Sequence, residues 1–571
     1  MKKFPLYDVR TIHDLRDMFD QSAALYADKT VFLAKPPKGG DYQPVTYATF
    51  HADVRALGTA FLQLGLRGGR IAVIGENRYE WTTTYLAAVN GVAVIVPLDK
   101  ELPPHEIENL LRRSRADAVV FAGSKKADLL SIRAALPQLK FLIGMDEAED
   151  GDGLLSYAKL LEKGRAAFEA GDRAYLDLPI DAEAMSILLF TSGTTSDSKA
   201  VMLSHRNICI NLMAMCQMVF IGDDTFLSVL PMHHTYECTC GFLCQVYRGN
   251  TVAFCEGLRH VGKNLKESHA TRVLVVPQLL EALLKRIWQG AAADPKKLKK
   301  LKMGIKISNF LRKFGIDLRR KLFAQVHETF GGRLHMFISG GAPIDPKVMK
   351  GLRDLGFQCI QGYGLTECAP ILALNRDVWF KDTSAGLALP GVEMRIDAPD
   401  EKGVGEICGR GPNVFLGYYE NEEATKEALV DGWFHTGDLG YIDHDGFVII
   451  TGRKKNVIVT KNGKKIFPEE VETLLGRSPY ILESLVYGLE GEDGETTVAA
   501  EIYPDYEKFK EENGGQHPDE ATVRSVLAEE IRKVNHLLVK YKYIKRFDVR
   551  TEEFVKTTTK KIKRYLVKKA K

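Results

Sequence analysis

The stretch FTSGTTSDSK, at residues 190–199, concentrates six hydroxyl side chains, one glycine and a terminal lysine within ten residues. The apolar run at residues 187–190 predicts a short buried strand before the loop, and residues 200–203 are apolar again. Backbone N–H groups in such a turn form an anion-binding concavity, the hydroxyls add donors, and Lys199 adds a point charge. The stretch therefore predicts a phosphate-binding loop that projects from a rigid core. A flexible Ser/Thr linker is the alternative that composition alone allows.

The residues around this loop predict a larger α/β fold. The loop differs from a Walker loop, because the G-x-x-x-x-G-K-[ST] pattern is absent and no helix signature follows directly. Strand-like and helix-like runs alternate on both sides of it, which is typical of parallel α/β layers. The predicted strands lie at residues 71–74, 92–96, 118–121, 226–230, 251–254 and 273–276, and the predicted helices at 79–90, after Pro104 and at 236–247.

The pattern changes twice toward the C-terminus. Past Gly391, glycines break up short strands, which predicts a small antiparallel β subdomain. After Arg453, a compact charged segment alternates strands with helices and predicts a small mobile α+β domain. We therefore expect an N-terminal domain of stacked α/β sheets at residues 1–452, a polar hinge at 453–455 and a C-terminal domain at 456–571.

The composition excludes several classes of protein. The 571 residues are 45% apolar and 27% charged, and no apolar stretch is long enough to span a bilayer. The net charge of +4 argues against a protein that binds nucleic acid. The N-terminus, MKKFPLYDVRTIHDL, has no apolar segment behind its positive charge, so it does not read as a secretory signal and we expect a cytoplasmic protein. The nine cysteines form no regular framework and are expected to be free thiols.

Positive charge is concentrated in residues 296–321, which hold eleven Lys and Arg and one acidic residue, Asp317. Apolar residues are interleaved with these charges, as in a helix that lies on a membrane surface. One interpretation is peripheral contact with the inner face of an anionic membrane or with a fatty substrate donor. The other is a solvated basic helix that packs on the body of the protein.

Four further segments follow the loop in order: SGGAPI at residues 339–344, QGYGLTE at 361–367, DGWFHTGDLG at 431–440 and GRKKNVIVTKNGKKIFPEEVE at 452–472. Together with the loop they resemble the adenylate-forming (AMP-binding) superfamily of acyl-CoA synthetases, luciferases and peptide-synthetase adenylation domains, and long-chain fatty acid–CoA ligases most closely. The resemblance covers residues 46–564. It implies an acid–thiol ligase that uses ATP, Mg²⁺ and CoA, forms an acyl-AMP intermediate, and releases pyrophosphate and AMP.

The resemblance also implies roles for individual residues that bind ATP. The phosphate loop supplies Thr191, Ser192, Gly193, Thr194, Thr195 and Lys199. Gly340, Gly341 and Tyr363 are implied to lie beside adenine, and Asp438 and Arg453 to bind the ribose. Thr366 is implied to contact a phosphate, and Glu367 to bind Mg²⁺, a hard cation that takes oxygen ligands.

Other implied roles concern the acyl and CoA substrates. His234, in LPMHHTYECTCGFLCQVYRG at residues 230–249, is implied to face the reacting carboxylate. Gly463 is implied to lie at the CoA tunnel, with Lys461, Lys464 and Lys465 near the CoA phosphates. Lys455 is implied to be the hinge residue between two domain arrangements. Lys561, in the tail VKTTTKKIKR, is implied to reach the α-phosphate and the attacking carboxylate oxygen.

The chain departs from the family pattern at two places. Ser196 and Ser198 replace a glycine and a proline of the usual loop S-G-T-T-G-x-P-K, which puts loop geometry and rate in doubt. Lys560 replaces the glycine before the tail lysine, so a shift of one residue would make Lys560 the catalytic lysine instead of Lys561.

Several alternatives remain open. The helix behind His234 is almost wholly apolar and would either line an acyl tunnel or form core. No anchor for an amino acid is evident, so we expect a medium- to long-chain fatty acid as substrate. The cysteines near His234 fit no zinc template. The rival functions are a fatty acyl-AMP ligase that loads an acyl carrier protein, and a degenerate AMP- or lipid-binding protein without catalysis.

Overall fold

The computed structural model describes residues 4–36, 39–191, 198–460, 464–490, 496–557 and 561–567. The chain folds into two compact units. The larger unit comprises Met1–Met394 and Gly409–Phe434, and the smaller unit comprises Arg395–Cys408 and His435–Lys571. None of the described helices is both long enough and apolar enough to cross a membrane.

The first sheet of the larger unit carries the phosphate loop. Its central strands are parallel, whereas the strand after the loop and the short strand beside it are antiparallel to their neighbours. In spatial order the strands are Gly417–Tyr418, Ala200–Ser204, Met185–Phe190, Val94–Leu98, Arg70–Ile74, Ala118–Phe121, Phe141–Gly144 and Leu154–Ser156. The central strands are continuous runs of buried aliphatic residues, as expected when helices cover both faces of a parallel sheet.

A second run of strands in the larger unit carries the GGA and GYGLTE segments. Its middle strands are parallel, and antiparallel strands close it on both sides. In spatial order the strands are Gly386–Ala388, Ile371–Leu374, Gln358–Gly364, Met336–Ser339, Arg272–Val275, Thr225–Ser228, Thr251–Phe254, Thr30–Ala34 and Gln43–Thr46. Both segments follow or end parallel strands, which is where open α/β sheets bind ligands.

Helices pack against these sheets. The α-helices of the larger unit are Leu15–Tyr26, Tyr47–Gln63, Tyr79–Val89, Pro104–Arg113, Lys126–Ile132, Tyr157–Glu169, His205–Met218, Cys244–Arg248, Val261–Ser268, Pro277–Ala292, Pro295–Arg312, Arg319–Leu322, Ala324–Thr329, Pro346–Asp354 and Glu422–Ala428. His205–Met218 begins with a capping box, in which Ser204 and Asn207 each accept a backbone N–H of the other. This cap fixes the helix that later holds the GYGLTE segment.

The smaller unit contains a run of four neighbouring strands, a two-stranded hairpin and a mixed three-stranded sheet. Its strands, three of which cross the border of the unit, are Glu393–Asp397, Gly405–Arg410, Trp433–Ile442, Phe447–Arg453, Ile458–Val459, Lys465–Ile466, Ile481–Glu490, Thr496–Pro504 and Ile544–Val549. Its α-helices are Pro468–Leu475, Tyr506–Glu512 and Glu520–Leu537. The last three strands pair antiparallel and then parallel, and the helices cover their apolar face.

The predicted α/β class, with a large N-terminal body and a small C-terminal α+β unit, is confirmed. The predicted strands at residues 118–121 and 251–254 match the observed ones residue for residue. The predicted helix at 236–247 divides into a π-helix, Tyr236–Leu243, and an α-helix, Cys244–Arg248. The predicted hinge at residues 453–455, between domains 1–452 and 456–571, stays a prediction.

Candidate active site

The strands on the two sides of the phosphate loop are antiparallel partners. Phe190 pairs with Ala200 across the two strands, and the backbone N–H of Thr191 donates to the carbonyl of Lys199 at 2.9 Å. Arg113 holds the end of the loop, since its guanidinium donates to the hydroxyl of Ser198 at 3.1 Å and to its carbonyl at 2.8 Å. Ser198, the residue that replaces the usual proline, therefore has a defined partner in this protein.

Lys199 and Glu367 meet at one tyrosine. The Nζ of Lys199 lies 4.5 Å from the ring centroid of Tyr418, a cation–π contact. The hydroxyl of the same tyrosine donates to Oε1 of Glu367 at 2.9 Å. Tyr418 is only 6% exposed, and burial, followed by the charge of Glu367, raises the pKa of its phenol. The tyrosine therefore stays protonated and keeps the loop lysine and the GYGLTE glutamate in a fixed arrangement.

Buried amides hold the backbone that carries Glu367. The carbonyls of Cys368 and Ile371 each accept from the side-chain amides of Asn211, at 3.0 and 2.9 Å, and of Asn413, at 3.1 and 2.9 Å. Both asparagines are completely buried. Buried amide–carbonyl bonds are costly to lose because the freed group cannot reach water. The turn Thr366–Cys368 is thus fixed from the helix His205–Met218 and from the segment before Tyr418.

The donor set at Glu367 fits a magnesium ion. Its Oε1 accepts from Tyr418, and its Oε2 has no hydrogen-bond partner among the described residues. The carboxylate is half-buried, and the half-buried hydroxyl residue Thr366 precedes it. Mg²⁺ takes hard oxygen ligands and is commonly held by one or two carboxylates together with substrate phosphates. One carboxylate beside a phosphate loop matches that requirement.

Two glycines leave a flat backbone surface at the end of the strand Met336–Ser339. A Cβ on Gly340 would lie 2.8 Å from the ring of Tyr236, and Gly341 has a φ of +87°, where a side chain would be strained. Tyr236 donates its hydroxyl to the carbonyl of Ile338 at 2.8 Å, so its ring is fixed. Tyr363, in the neighbouring strand, is 8% exposed. Gly340 is therefore required by the packing of Tyr236, and Gly341 by its backbone conformation.

A histidine pair precedes the π-helix. The ring centroids of His233 and His234 are 5.4 Å apart, and Nε2 of His233 lies 3.6 Å from Oδ2 of Asp99. Burial, followed by the charge of Lys100, lowers the pKa of His233 to about 4, so this ring is neutral at pH 7. His234 accepts at its backbone carbonyl from the N–H of Cys238 at 2.9 Å, which ties it to the first turn of the π-helix.

The π-helix buries a carboxyl group. Glu237 is 1% exposed, and its Oε1 accepts from the hydroxyl of Ser228 at 2.5 Å. Its Oε2 is buried as well. A Cβ on Gly241 would lie 2.7 Å from this carboxyl group, so the glycine makes room for it. Burial raises the pKa of Glu237 to about 8, and the acid is therefore mostly neutral at pH 7. Single π-helical turns are frequent at functional sites.

In the smaller unit, Asp438 and Arg453 face each other across a hairpin. They are direct partners in the strands Trp433–Ile442 and Phe447–Arg453, and Nε of Arg453 lies 2.9 Å from Oδ1 of Asp438. Asp438 is 4% exposed, whereas Arg453 is exposed. Lys455 lies in the turn Lys454–Asn456 directly after this strand and is also exposed. The pair offers a carboxylate acceptor and a guanidinium donor at one position.

The tail folds back as a further hairpin that carries Lys561, since Lys556 and Ile562 form an antiparallel bridge. Thr557 and Lys561 bond to each other, since the N–H of Thr557 donates to the carbonyl of Lys561 at 2.8 Å. Lys556 contacts the buried Glu483, and Arg564 donates to Glu472 at 2.5 Å, so both ends of the hairpin are anchored by ion pairs. These anchors determine where the lysine between them lies.

Lys561 shares the electrostatic environment of the Asp438–Arg453 pair. Although its residue is exposed, desolvation of its crowded ammonium, followed by the charge of Arg453, lowers its pKa to about 8, and Asp438 partly opposes the shift. Lys556, five residues earlier, has a raised pKa because hydrogen bonds to Glu483 and Glu553 outweigh its desolvation. A lysine with a lowered pKa near other charged groups is a candidate for a functional role.

Some predicted residues lie outside the described residues: Ser192, Gly193, Thr194, Thr195, Ser196, Lys560, Lys461 and Gly463. The structure brings together Lys199 and Glu367, and separately Asp438, Arg453 and Lys561. Sequence reasoning missed four residues that fix the site: Arg113, Asn211, Asn413 and Tyr418. Asparagines inside otherwise apolar segments were the available signal for two of them, since buried amides require partners.

Comparison with known proteins places this geometry in a family. Residues 19–419 match the AMP-binding enzyme family. The chain is 30% identical over 480 residues to long-chain-fatty-acid–CoA ligase 6 of Mus musculus, covering 78% of this chain and 68% of that protein. It is 29% identical over 565 residues to fatty acyl-CoA synthetase A of Dictyostelium discoideum, covering 91% of this chain and 79% of that protein.

Solved structures share the fold. The anthranilate CoA ligase AuaEII in complex with anthranoyl-AMP has a TM-score of 0.75 at 20% identity, covering 99% of this chain and 97% of that chain. ATP-bound MatB from Rhodopseudomonas palustris has a TM-score of 0.73 at 25% identity, covering 97% of this chain and 98% of that chain. The resemblance inferred from the five sequence segments is thereby confirmed, and the chain belongs to the family of AMP-binding enzymes.

Proposed function

We propose that this protein is an ATP-dependent acyl-CoA synthetase for medium- to long-chain fatty acids. The observation that carries the proposal is the shared anchoring of Lys199 and Glu367 by Tyr418, in a chain about 30% identical to long-chain-fatty-acid–CoA ligases over most of its length. The arrangement joins a cation for phosphates to a carboxylate for a metal. That combination suits the activation of a carboxylate by a nucleotide.

The reaction has two steps. In the first, a carboxylate oxygen of the fatty acid attacks the α-phosphorus, the bond from that phosphorus to the bridging oxygen breaks, and pyrophosphate leaves. In the second, the sulfur of CoA attacks the acyl carbon, the bond from that carbon to the phosphate oxygen breaks, and AMP leaves with that oxygen. Both steps need cations at the phosphates and the exclusion of water.

The larger unit would bind the nucleotide phosphates and base. Thr191, Lys199 and the residues between them would hold the leaving phosphates, with Thr366 as a further donor. Glu367 would hold Mg²⁺, which neutralises phosphate charge when bound. Gly340 and Gly341 would form one side of the adenine site and Tyr363 the other. The exposed Gly341 supports this assignment, because backbone without a side chain permits a close approach.

The smaller unit would supply the ribose contacts and the tail cation. Asp438 would accept from the ribose hydroxyls and Arg453 would donate to the same sugar. Lys561 would neutralise charge on the α-phosphate and the attacking carboxylate oxygen. Its electrostatic coupling to both residues supports this role for Lys561. His234 would face the carboxylate from the larger unit.

CoA is the proposed acceptor. The curated relatives are named as CoA ligases, whereas none of those cited is named as a carrier-protein ligase. Gly463 and the lysines around it would border the CoA path after the two domains, 1–452 and 456–571, rotate about Lys455. Lys464 packs over the ring of Tyr541 at 4.6 Å, which fixes one of these cations. We further propose a cytoplasmic enzyme, for which nine free thiols are the expected state, with peripheral contact to the membrane.

A product assay tests the function. Purified protein is incubated with ATP, Mg²⁺, CoA and acids from acetate to oleate, and thioester, AMP and pyrophosphate are measured, with an acyl carrier protein replacing CoA in a parallel series. Thioester of CoA from the longer acids, lost on chelation of Mg²⁺, is the expected result. Pyrophosphate and carrier-bound acyl groups without CoA thioester would instead identify an acyl-AMP ligase, and the absence of every product would identify a binding protein.

A further inference from the structure

The basic helix, defined as Pro295–Arg312, has two apolar faces. Leu301 and Ile305 pack on the core of the larger unit, and Gly304 lies where a Cβ would be 3.1 Å from the ring of Phe323. Asn309 donates to Asp354 at 3.1 Å on the same side. The inner face therefore accounts for the attachment of the helix to the protein.

The outer face, which we call the apolar ridge, does not serve to attach the helix to the protein. It consists of Met303, Ile307 and Phe310 in the helix, followed by Phe314 just beyond its end. Because these residues are 4, 3 and 4 positions apart, their four side chains lie on one face of a helix. They are 50%, 46%, 59% and 67% exposed, and the rings of Phe310 and Phe314 contact each other at 5.3 Å. A large cluster of exposed apolar side chains marks an interaction surface.

Uncompensated positive charge surrounds the ridge. Lys299, Lys306 and Lys313 are exposed beside it, and in the described part of the chain no lysine of the basic helix forms an ion pair. The one acidic residue of the stretch, Asp317, is already paired with Arg319 at 2.6 Å. Protein partners of a basic surface require matching carboxylates on a shaped surface, whereas an anionic bilayer provides both diffuse negative charge and an apolar interior for projecting rings.

We infer that the apolar ridge inserts into the interface of an anionic lipid membrane while the flanking lysines contact lipid phosphates. The inference specifies the membrane contact of the proposed function, but it does not depend on catalysis. The ridge is formed by residues remote from Lys199, Glu367 and Lys561 in sequence, so the two can be tested separately. A membrane contact at this helix would bring the enzyme to the phase in which long-chain acids partition.

The test is co-sedimentation with neutral vesicles of phosphatidylcholine and with anionic vesicles of phosphatidylcholine mixed with phosphatidylserine. One variant carries Ile307→Ser, Phe310→Ser and Phe314→Ser, and a second carries Lys299→Gln, Lys306→Gln and Lys313→Gln. The first has a matched control with Leu25→Ser, Leu482→Ser and Leu537→Ser, which are 61%, 51% and 66% exposed elsewhere. The second is matched by Lys163→Gln, Lys266→Gln and Lys426→Gln.

We expect the wild type and both controls to sediment with the anionic vesicles and each ridge or lysine variant to bind at least about tenfold more weakly. Binding should also fall between 0.1 and 0.5 M NaCl, because salt screens the lysines. Equal sedimentation of variants and wild type, equal binding to neutral vesicles, or no binding at all would overturn the inference. So would a concentration-dependent dimer that the ridge variant abolishes, since the ridge would then bind a second copy. Thioester synthesis from octanoate without vesicles shows independently whether the proposed function holds.

Discussion

The two units keep their functional charges in different surroundings. In the larger unit, Lys199 and Glu367 share Tyr418, a neutral side chain whose pKa burial raises. In the smaller unit, Asp438 contacts Arg453 directly, and the same arginine contributes to lowering the pKa of Lys561 to about 8. The larger unit therefore resembles a fixed binding surface, whereas the tail carries a cation whose charge depends on pH.

The difference has a chemical reason. Groups that hold bound phosphates and a metal should keep one protonation state, and a buried phenol between them does not titrate near neutral pH. A cation that stabilises charge only during the reaction can tolerate a lowered pKa, because the incoming phosphate restores the protonated form. The comparison thus separates residues that bind from a residue that acts in the transition state.

Loss of the tail cation should give the largest effect. We expect Lys561→Ala to slow pyrophosphate release by a factor of about 10²–10³, as for other groups that stabilise developing charge. Thioester formation from supplied acyl-AMP and CoA should change by less than about tenfold, since the cation serves the first step. The two half-reactions are measured separately.

Lys563→Ala, in the same hairpin, serves as the matched control and should leave both rates near those of the wild type. A similar loss in both half-reactions of Lys561→Ala would contradict a role confined to adenylation. It would indicate instead that the tail hairpin organises the whole smaller unit.

Removal of one hydroxyl in the larger unit should have a smaller effect. Tyr418→Phe keeps the ring beneath Lys199 but deletes the donor to Oε1 of Glu367. Partners that orient a metal-binding carboxylate are commonly worth about 10–100-fold in metal affinity. We therefore expect the Mg²⁺ concentration for half-maximal adenylation to rise about tenfold, with little change at saturating Mg²⁺.

Tyr419→Phe provides the comparison for this variant. Its hydroxyl accepts from Arg70 at 2.9 Å, so the change removes one tyrosine hydroxyl next in sequence to Tyr418 without touching Glu367. An unchanged Mg²⁺ requirement in Tyr418→Phe would show that the tyrosine is structural only.

The pH dependence of adenylation tests the contrast between the units directly. Lys561 is cationic below its pKa of about 8 and neutral above it. The kcat/KM for pyrophosphate release, which reports the pKa of the enzyme before nucleotide binds, should therefore fall above about pH 8, approaching tenfold per pH unit. Lys561→Arg keeps its charge over this range and should move the fall to higher pH, even if its maximal rate is lower. The same pH limit in both proteins would remove Lys561 as its cause.

The sequence predicted the class of fold and the chemistry of the site but not its supports. Phosphate-loop residues and Glu367 lie in short local patterns, so their types and spacing are readable. Tyr418, 51 residues after Glu367, reaches it only because the strand Gly417–Tyr418 pairs with Ala200–Ser204. Asn211 and Asn413 lie far apart in the sequence, and the fold brings their amides to the same carbonyls. Long-range pairing of this kind leaves no periodic signal in a single sequence.

The sequence pattern also could not predict the π-helix. An almost wholly apolar run predicts a buried helix but not its winding. The extra width accommodates the carboxyl of Glu237, which folds against Gly241 and bonds to Ser228. A helix pattern of period 3.6 cannot signal this local change.

The smallest effect is expected for Glu237 and concerns thermal stability. Its pKa of about 8 coincides with that of Lys561, so the two groups in the two units must be told apart by experiment. Burial raises this pKa above the ordinary value of 4.5, so the folded protein binds the proton more tightly than the unfolded chain. The resulting stability is complete below about pH 4.5 and is lost as the pH rises toward about 8. Glu237→Gln cannot ionise, yet its amide can still accept from Ser228.

We expect the Tm of the wild type to fall relative to that of Glu237→Gln between pH 5 and 8, by about 2–4 °C. The rate of adenylation in Glu237→Gln should still decline above pH 8, because Lys561 is unchanged. In Lys561→Arg the opposite holds: the Tm should follow the wild type while the rate profile shifts. A single substitution that removed both pH effects would show that the two units titrate together, and the separation between a fixed binding surface and a titrating tail would then be wrong.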